Sequence, residues 1–151
     1  MLIDLNAAKL HLRLELAYPD DQITPYLGAA ESKAMNFMGR KVFADAATLN
    51  AAVAAAPGAL AAAGVEFAAA IATLDTQPES PARALLQGSA ERVYQAAQTE
   101  ARETLAGLII NAEIRAAILD IFAASYLRRG EAADASTSEY LLWSYRISLG
   151  V

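Results

Sequence analysis

The chain is expected to fold as an all-α protein, a small helical bundle around one central apolar helix with an alanine-rich helical hairpin inserted into it. Three stretches carry that expectation. Residues 111–130, NAEIRAAILDIFAASYLRRG, hold a full set of helix signals. Residues 21–39 repeat apolar side chains at helical spacing and end on glycine. From Ala44 to Gly107 the composition shifts to alanine, the strongest helix former, punctuated by Pro57-Gly58 and by QPESP at 77–81.

The central helix, about 111–129, has chemistry at both ends. Asn111 is a capping residue, and Glu113 places a carboxylate near the positive end of the helix dipole. Arg128 and Arg129 suit the last turn, and Gly130 the left-handed position after it. Ile114, Ile118, Ile121, Phe122 and Ser125 form one apolar stripe, which Ala117, Leu119, Ala124 and Tyr126 widen. A helix apolar on most sides is central to its fold. Arg115 falls inside this sector beside Phe122 and Tyr126, so it snorkels outward or pairs with a carboxylate of another helix or another subunit.

Ahead of it, Asp4 caps a short helix reaching about Leu12, with Leu5, Ala8, Lys9 and Leu12 on one side. Residues 10–16, LHLRLEL, alternate strictly, which predicts an extended stretch through Leu16. YPDD at 18–21 is a turn. The second helix starts at Asp21 or Thr24, with Pro25 in its first turn, and buries Ile23, Tyr26, Leu27, Ala30, Ala34, Phe37 and Met38 while Glu31, Ser32, Lys33 and Asn36 face away. In the insertion, 44–107, the proline breaks predict helices near 46–56, 59–75 and 82–106.

After Gly130 a polar linker leads to a tail, 138–151, dense in Tyr140, Leu141, Leu142, Trp143, Tyr145, Ile147 and Leu149. So much apolar surface must dock on its own core or on a neighbour. Tyr140, Trp143, Tyr145 and Arg146 are residue types that dominate interfaces, and with Arg128, Arg129 and Arg115 they are the candidate partner-binding residues. On that reading, removal of everything after Thr137 leaves the fold intact.

At 151 residues the chain fits a single domain, 1–151, and its net charge of −5 argues against a phosphate-gripping surface. Without cysteine there are no disulfides, thiolate metal sites or cysteine nucleophile. The lone His11 is expected at the surface. No HExxH, ExxH, nucleophile elbow, P-loop or GxGxxG occurs, so no catalytic, cofactor or metal residues are assigned. The start MLIDLNAAK lacks a basic segment followed by an apolar run, and no stretch is expected to reach the roughly 18 apolar residues of a membrane span, so the chain is expected to be soluble and made inside a cell.

Four stretches taken in order, DLNAAKLHLRL, DDQITPYLGAAESKAMNFMGRKVF, AGLIINAEIRAAILDIFAASYLRRGE and YLLWSYRI, resemble the head-tail connector family of tailed double-stranded DNA bacteriophages, in particular the subset with an alanine-rich insertion. Leu141, Leu142, Tyr145 and Arg146 match the leucine pair and Tyr-Arg dipeptide of that family's C-terminal end. SYLRRGE departs from the bulky aromatic and Asn-Arg-Glu end usual on the central helix, and ADASTS replaces a more apolar loop. The resemblance implies a structural virion protein, not an enzyme, made in the host cytoplasm and sited in the neck. There it would form a homo-oligomeric ring of roughly twelve subunits between the portal protein and a tail-side stopper or terminator. DNA would pass through the ring without sequence-specific binding, and no cofactor or membrane is implied.

Two other classes compete. A helical-bundle enzyme or ligand carrier would use Arg115, Asp120 and Tyr126 as a polar site on the central helix. A DNA-binding regulator would need the turn at 107–111 to lead into a groove-reading helix, and the helix that follows is too apolar for base readout.

Overall fold

The computed structural model describes residues 1–128 and 140–147. Its elements are α1 (Leu5–His11), α2 (Thr24–Met38), β1 (Val42–Phe43), α3 (Ala46–Asp75), α4 (Pro81–Leu105), β2 (Leu108–Ile109) and α5 (Ala112–Leu127), with short 3-10 turns at Asp20–Gln22 and Trp143–Tyr145. The all-α expectation holds: the strands are two residues each and pair in parallel, Val42 with Leu108 and Phe43 with Ile109. The chain forms two compact units, Met1–Ala46 with Leu108–Val151, and Ala47–Gly107.

The first unit is built on α2 and α5. Leu27, Ala30, Ala34 and Met38 of α2 and Ile114, Ala117, Ile118, Ile121 and Phe122 of α5 are buried in one cluster with Ile3, Ala8, Ile23 and Leu142. Tyr126 closes one end of it, edge-on to Tyr26 at 5.5 Å and with its hydroxyl donating to that of Tyr18 at 2.9 Å. Helix signals at the ends act as expected. Asn111 Oδ1 accepts from the Ile114 N–H at 2.8 Å, Asp4 accepts from Asn6 and Ala7, and Gly39 ends α2 with φ 66°. Pro25 sits in the first turn of α2 behind Ile23, whose side chain makes no cap.

Five sequence expectations are corrected here. The LHLRLEL stretch is not extended. Leu12 caps α1 and Arg13 takes the left-handed conformation at φ 57°, so that the Arg13 N–H reaches Leu10 O and the Leu14 N–H reaches Lys9 O. That pair of bonds is a Schellman ending, which satisfies carbonyls a strand would have left to another strand, and Leu14 folds back onto the core.

Glu31, placed on the polar side of α2, is buried. Its Oε1 accepts from the N–H groups of Leu2 and Ile3 at 2.6 and 3.1 Å, fixing the N-terminal segment against α2. Lys9 is likewise buried, with Nζ donating to Leu16 O at 2.7 Å and paired with Asp20 at 2.6 Å. Both charges are tolerated inside because each meets fixed partners.

The central helix stops at Leu127 with Arg128 as its cap, so no basic residue occupies its last turn. Arg129 and Gly130 lie outside the described residues, as does the linker.

In the second unit, Pro57-Gly58 does not break the helix. α3 runs unbroken for 30 residues with Pro57 inside it. A proline in a helix interior costs about 3 kcal/mol, and alanines on both sides keep the remaining turns favourable enough to carry it. α3 is thereby long and apolar enough, by length and composition, to cross a membrane, contrary to the expectation from the sequence. The third predicted helix matches α4 closely, with Ser80 Oγ accepting from the Arg83 N–H at 3.1 Å as its cap.

Among the buried and half-buried positions of α3, Leu49, Val53, Ala56, Leu60, Ala63, Phe67, Ala70 and Leu74 step by four and three residues, and on α4 Ala90, Tyr94, Ala97, Ala101 and Thr104 keep the same step, with Arg83 one heptad earlier. This is the spacing of an antiparallel coiled-coil seam, with alanine at six of these fourteen positions. Tyr94 stacks on Phe67 at 5.1 Å, and its ring lies 3.7 Å from where a Cβ on Gly64 would stand, which fixes the level at which the two helices meet. At the far turn Arg83 pairs with Asp75 and Glu79, both at 2.9 Å.

Candidate partner interface

The described part of the tail, 140–147, is divided between the core of its own unit and solvent. Leu142 is fully buried among core residues, and the Ile147 N–H donates to Met38 O at 3.0 Å, next to the glycine that ends α2. Tyr145 reaches the first turn of α5: its hydroxyl accepts from Asn111 Nδ2 at 2.8 Å and donates to Glu113 Oε2 at 2.5 Å. The Glu113 hydrogen bond raises the Tyr145 pKa above the ordinary tyrosine value, and the Asn111 bond opposes it.

These anchors correct one expectation. Leu142 belongs to the monomer's core, so the tail is not a free arm, and its loss removes part of that core. The physical reason is that a leucine one turn from Tyr145 reaches the apolar cluster built on α2 and α5, where its side chain leaves water.

Around the anchors the remaining large groups stay outside. Tyr140 is 82% exposed and Trp143 63%. The Arg146 guanidinium lies over the Phe37 ring at 5.4 Å and the Trp143 ring at 5.5 Å, and those two rings stand 6.2 Å apart. A cation held by two aromatic faces is pre-positioned, since its rotamer freedom is already spent. Beside this stack Glu113, Tyr140, Leu141, Trp143 and Ser144 line a shallow concavity.

The structure therefore brings together Tyr140, Trp143, Tyr145 and Arg146 and adds Phe37, Asn111 and Glu113, which the sequence reading assigned to a helix face and a helix end. Two of these carried a partial signal, because a capping Asn followed by an acid leaves a free amide and a free carboxylate oxygen pointing at whatever follows in space. Phe37 carried none. Arg115 is exposed on α5 rather than set among its apolar side chains, and Arg128 lies about 22 Å along the helix from Glu113 at the usual rise per residue. Neither joins the cluster, and Arg129 is outside the described residues.

The polar site considered for an enzyme does not assemble. Arg115 and Asp120 are exposed, Tyr126 is buried against Tyr18, and Asp120 stands 3.8 Å from His11. Among the described residues no three His, Asp or Glu side chains are grouped to hold a metal ion. α5 turns its apolar side to the core of its unit and exposes Glu113, Arg115, Ala116 and Asp120.

No protein-family model, curated protein or solved structure matches the chain.

Proposed function

We propose that the chain is a structural subunit of the head-tail junction of a tailed bacteriophage, assembling as a ring under the portal, with the DNA channel passing through it. The observation that carries this reading is the arrangement of the C-terminal segment: one leucine anchors it inward, and Tyr140, Trp143 and Arg146 are turned outward on a rigid base. Exposed aromatic groups beside a held guanidinium are what a protein partner buries at the centre of an interface. On the resemblance of element order, the portal would lie opposite that end. An acidic chain suits a wall along which a polyanion must slide without being held. The reading makes the protein a scaffold with no cofactor and no catalytic group.

The test is addition of the purified protein to portal-bearing, tail-less heads. Wild type co-sediments with heads and particle images show a ring at the vertex. Trp143→Ala with Tyr140→Ala abolishes attachment without changing circular dichroism, since both side chains are exposed. A protein that stays monomeric and never adds to such heads ends the proposal.

A further inference from the structure

The 3-10 turn at Trp143–Tyr145 brings residues three apart into line, and the Arg146 N–H bonds to Trp143 O at 3.2 Å, so the Arg146 side chain comes to lie over the Trp143 ring. The Ile147 N–H bond to Met38 O pins the next residue to the end of α2, which puts Phe37 under the same guanidinium. Two rings therefore hold one side of the cation. Among the described residues no carboxylate pairs with it and no acceptor takes its guanidinium N–H groups. Glu113, which lines the concavity beside Trp143, is engaged by the Tyr145 hydroxyl instead. Arg115 and Arg128 are also unpaired, but no ring holds either. At the hairpin turn, by contrast, Arg83 finds two acids within its own unit.

We propose that the Arg146 guanidinium takes a carboxylate of the partner protein, an Asp or Glu side chain on a segment whose apolar neighbours cover Trp143 and Tyr140. With rings on one side, what remains of the guanidinium is its outward N–H donors, and a carboxylate is the planar acceptor that matches them with two parallel bonds. The rotamer of Arg146 is already set by the rings, so pairing orders less than it would at a free arginine. Covering the exposed Trp143 and Tyr140 shuts water from the pair. A charge pair so placed governs dissociation more than a rim charge does.

Charge selects this occupant over a nucleic-acid backbone. Glu113 stands in the same concavity, none of the residues lining it is Lys or Arg, and the chain is acidic overall. One carboxylate meets one cation and leaves Glu113 to water. A run of phosphates would bring further negative charge against Glu113 with no second cation there to answer it. The inference deepens the reading above and rests on it for the identity of the partner, while the preference for a carboxylate belongs to the isolated chain and is measured on it.

Binding of the full, fluorescently labelled chain to an array of short random peptides is the first measurement. Wild type selects peptides that carry Asp or Glu beside an aromatic or aliphatic residue. Arg146→Gln binds the same peptides at least about tenfold more weakly, and Arg146→Lys, which keeps the charge but not the fork, falls between. Arg115→Gln, which removes an equal charge elsewhere, binds as wild type does, and circular dichroism is the same for all four chains. Wild type without an acidic preference overturns the proposal, as does a preference that survives in Arg146→Gln. Binding of a fluorescein-labelled oligothymidylate that Arg146→Gln abolishes assigns the guanidinium to phosphate and also overturns it. Addition to portal-bearing heads separates the two readings. Wild type that never adds ends the portal assignment and leaves the peptide result in force, whereas equal addition of wild type and Arg146→Gln keeps the portal and removes the carboxylate.

Discussion

Tyr145 and Glu113 join the end of the described chain to the start of α5 through one hydrogen bond, the tyrosine hydroxyl donating to Oε2. That hydroxyl also accepts from Asn111 Nδ2, while Asn111 Oδ1 caps the helix. One residue on the tail thus shares its partner with the helix N-terminus, and whatever disturbs the tail reaches the cap of the central helix.

Only the neutral phenol can donate to the carboxylate, and this bond raises the Tyr145 pKa above the ordinary 10.0. A group whose folded pKa is raised contributes stability that is complete below the unfolded value and is lost as pH rises through the folded one. The tail should therefore stay docked through neutral pH and loosen only in strong alkali. The difference between wild-type and Tyr145→Phe absorbance titrations at 295 nm isolates this phenol, which should ionise later than a free tyrosine. Glu113→Ala should bring its midpoint down, and an unchanged midpoint would show that the bond is not formed in solution.

Leu142 is fully buried, and Leu142→Ala should cost about 2–4 kcal/mol of the first unit's stability by urea denaturation, the usual loss for a buried leucine. Truncation after Thr137 should cost at least as much. A truncated chain that melts with wild type would return the tail to the role of a free arm.

Arg13 holds the left-handed position that ends α1. A residue with a Cβ pays roughly 1–2 kcal/mol there, and glycine avoids that at some cost in unfolded-state entropy. Arg13→Gly should accordingly stabilise by about 0.5–1 kcal/mol, and Arg13→Val should destabilise, both read from urea midpoints. The opposite order would mean that Arg13 contributes through contacts rather than strain.

Glu31 accepts two backbone N–H groups from the N-terminal segment. Glu31→Ala leaves both without that acceptor and should cost about 1–3 kcal/mol, together with faster amide hydrogen exchange at Leu2 and Ile3. Glu31→Gln, which keeps an acceptor, should recover a good part of the loss. Equal effects from both variants would assign the role to charge alone.

Periodicity and end chemistry on single helices were enough to place α2 and α5, the Asn111, Asp4 and Gly39 ends and most of the α2 and α5 core, because a helix writes its buried face and its caps into local spacing. The same local logic failed where distant partners decide. Strict alternation at 10–16 predicted extension, and backbone bonds from Arg13 and Leu14 to the preceding helix turned it into a cap. Pro57-Gly58 predicted a break, and the alanines and coiled-coil seam on either side carried α3 through it. Glu31 read as a solvent-facing acid, since nothing within a few residues of it shows that the N-terminal backbone comes to lie on its carboxylate. Composition alone showed that the tail must dock. Only the tertiary structure decided that Leu142 goes inward while Trp143 and Tyr140 stay out, because the choice depends on the groove between α2 and α5 and on Phe37, Asn111 and Glu113, which meet the tail only after the chain has folded.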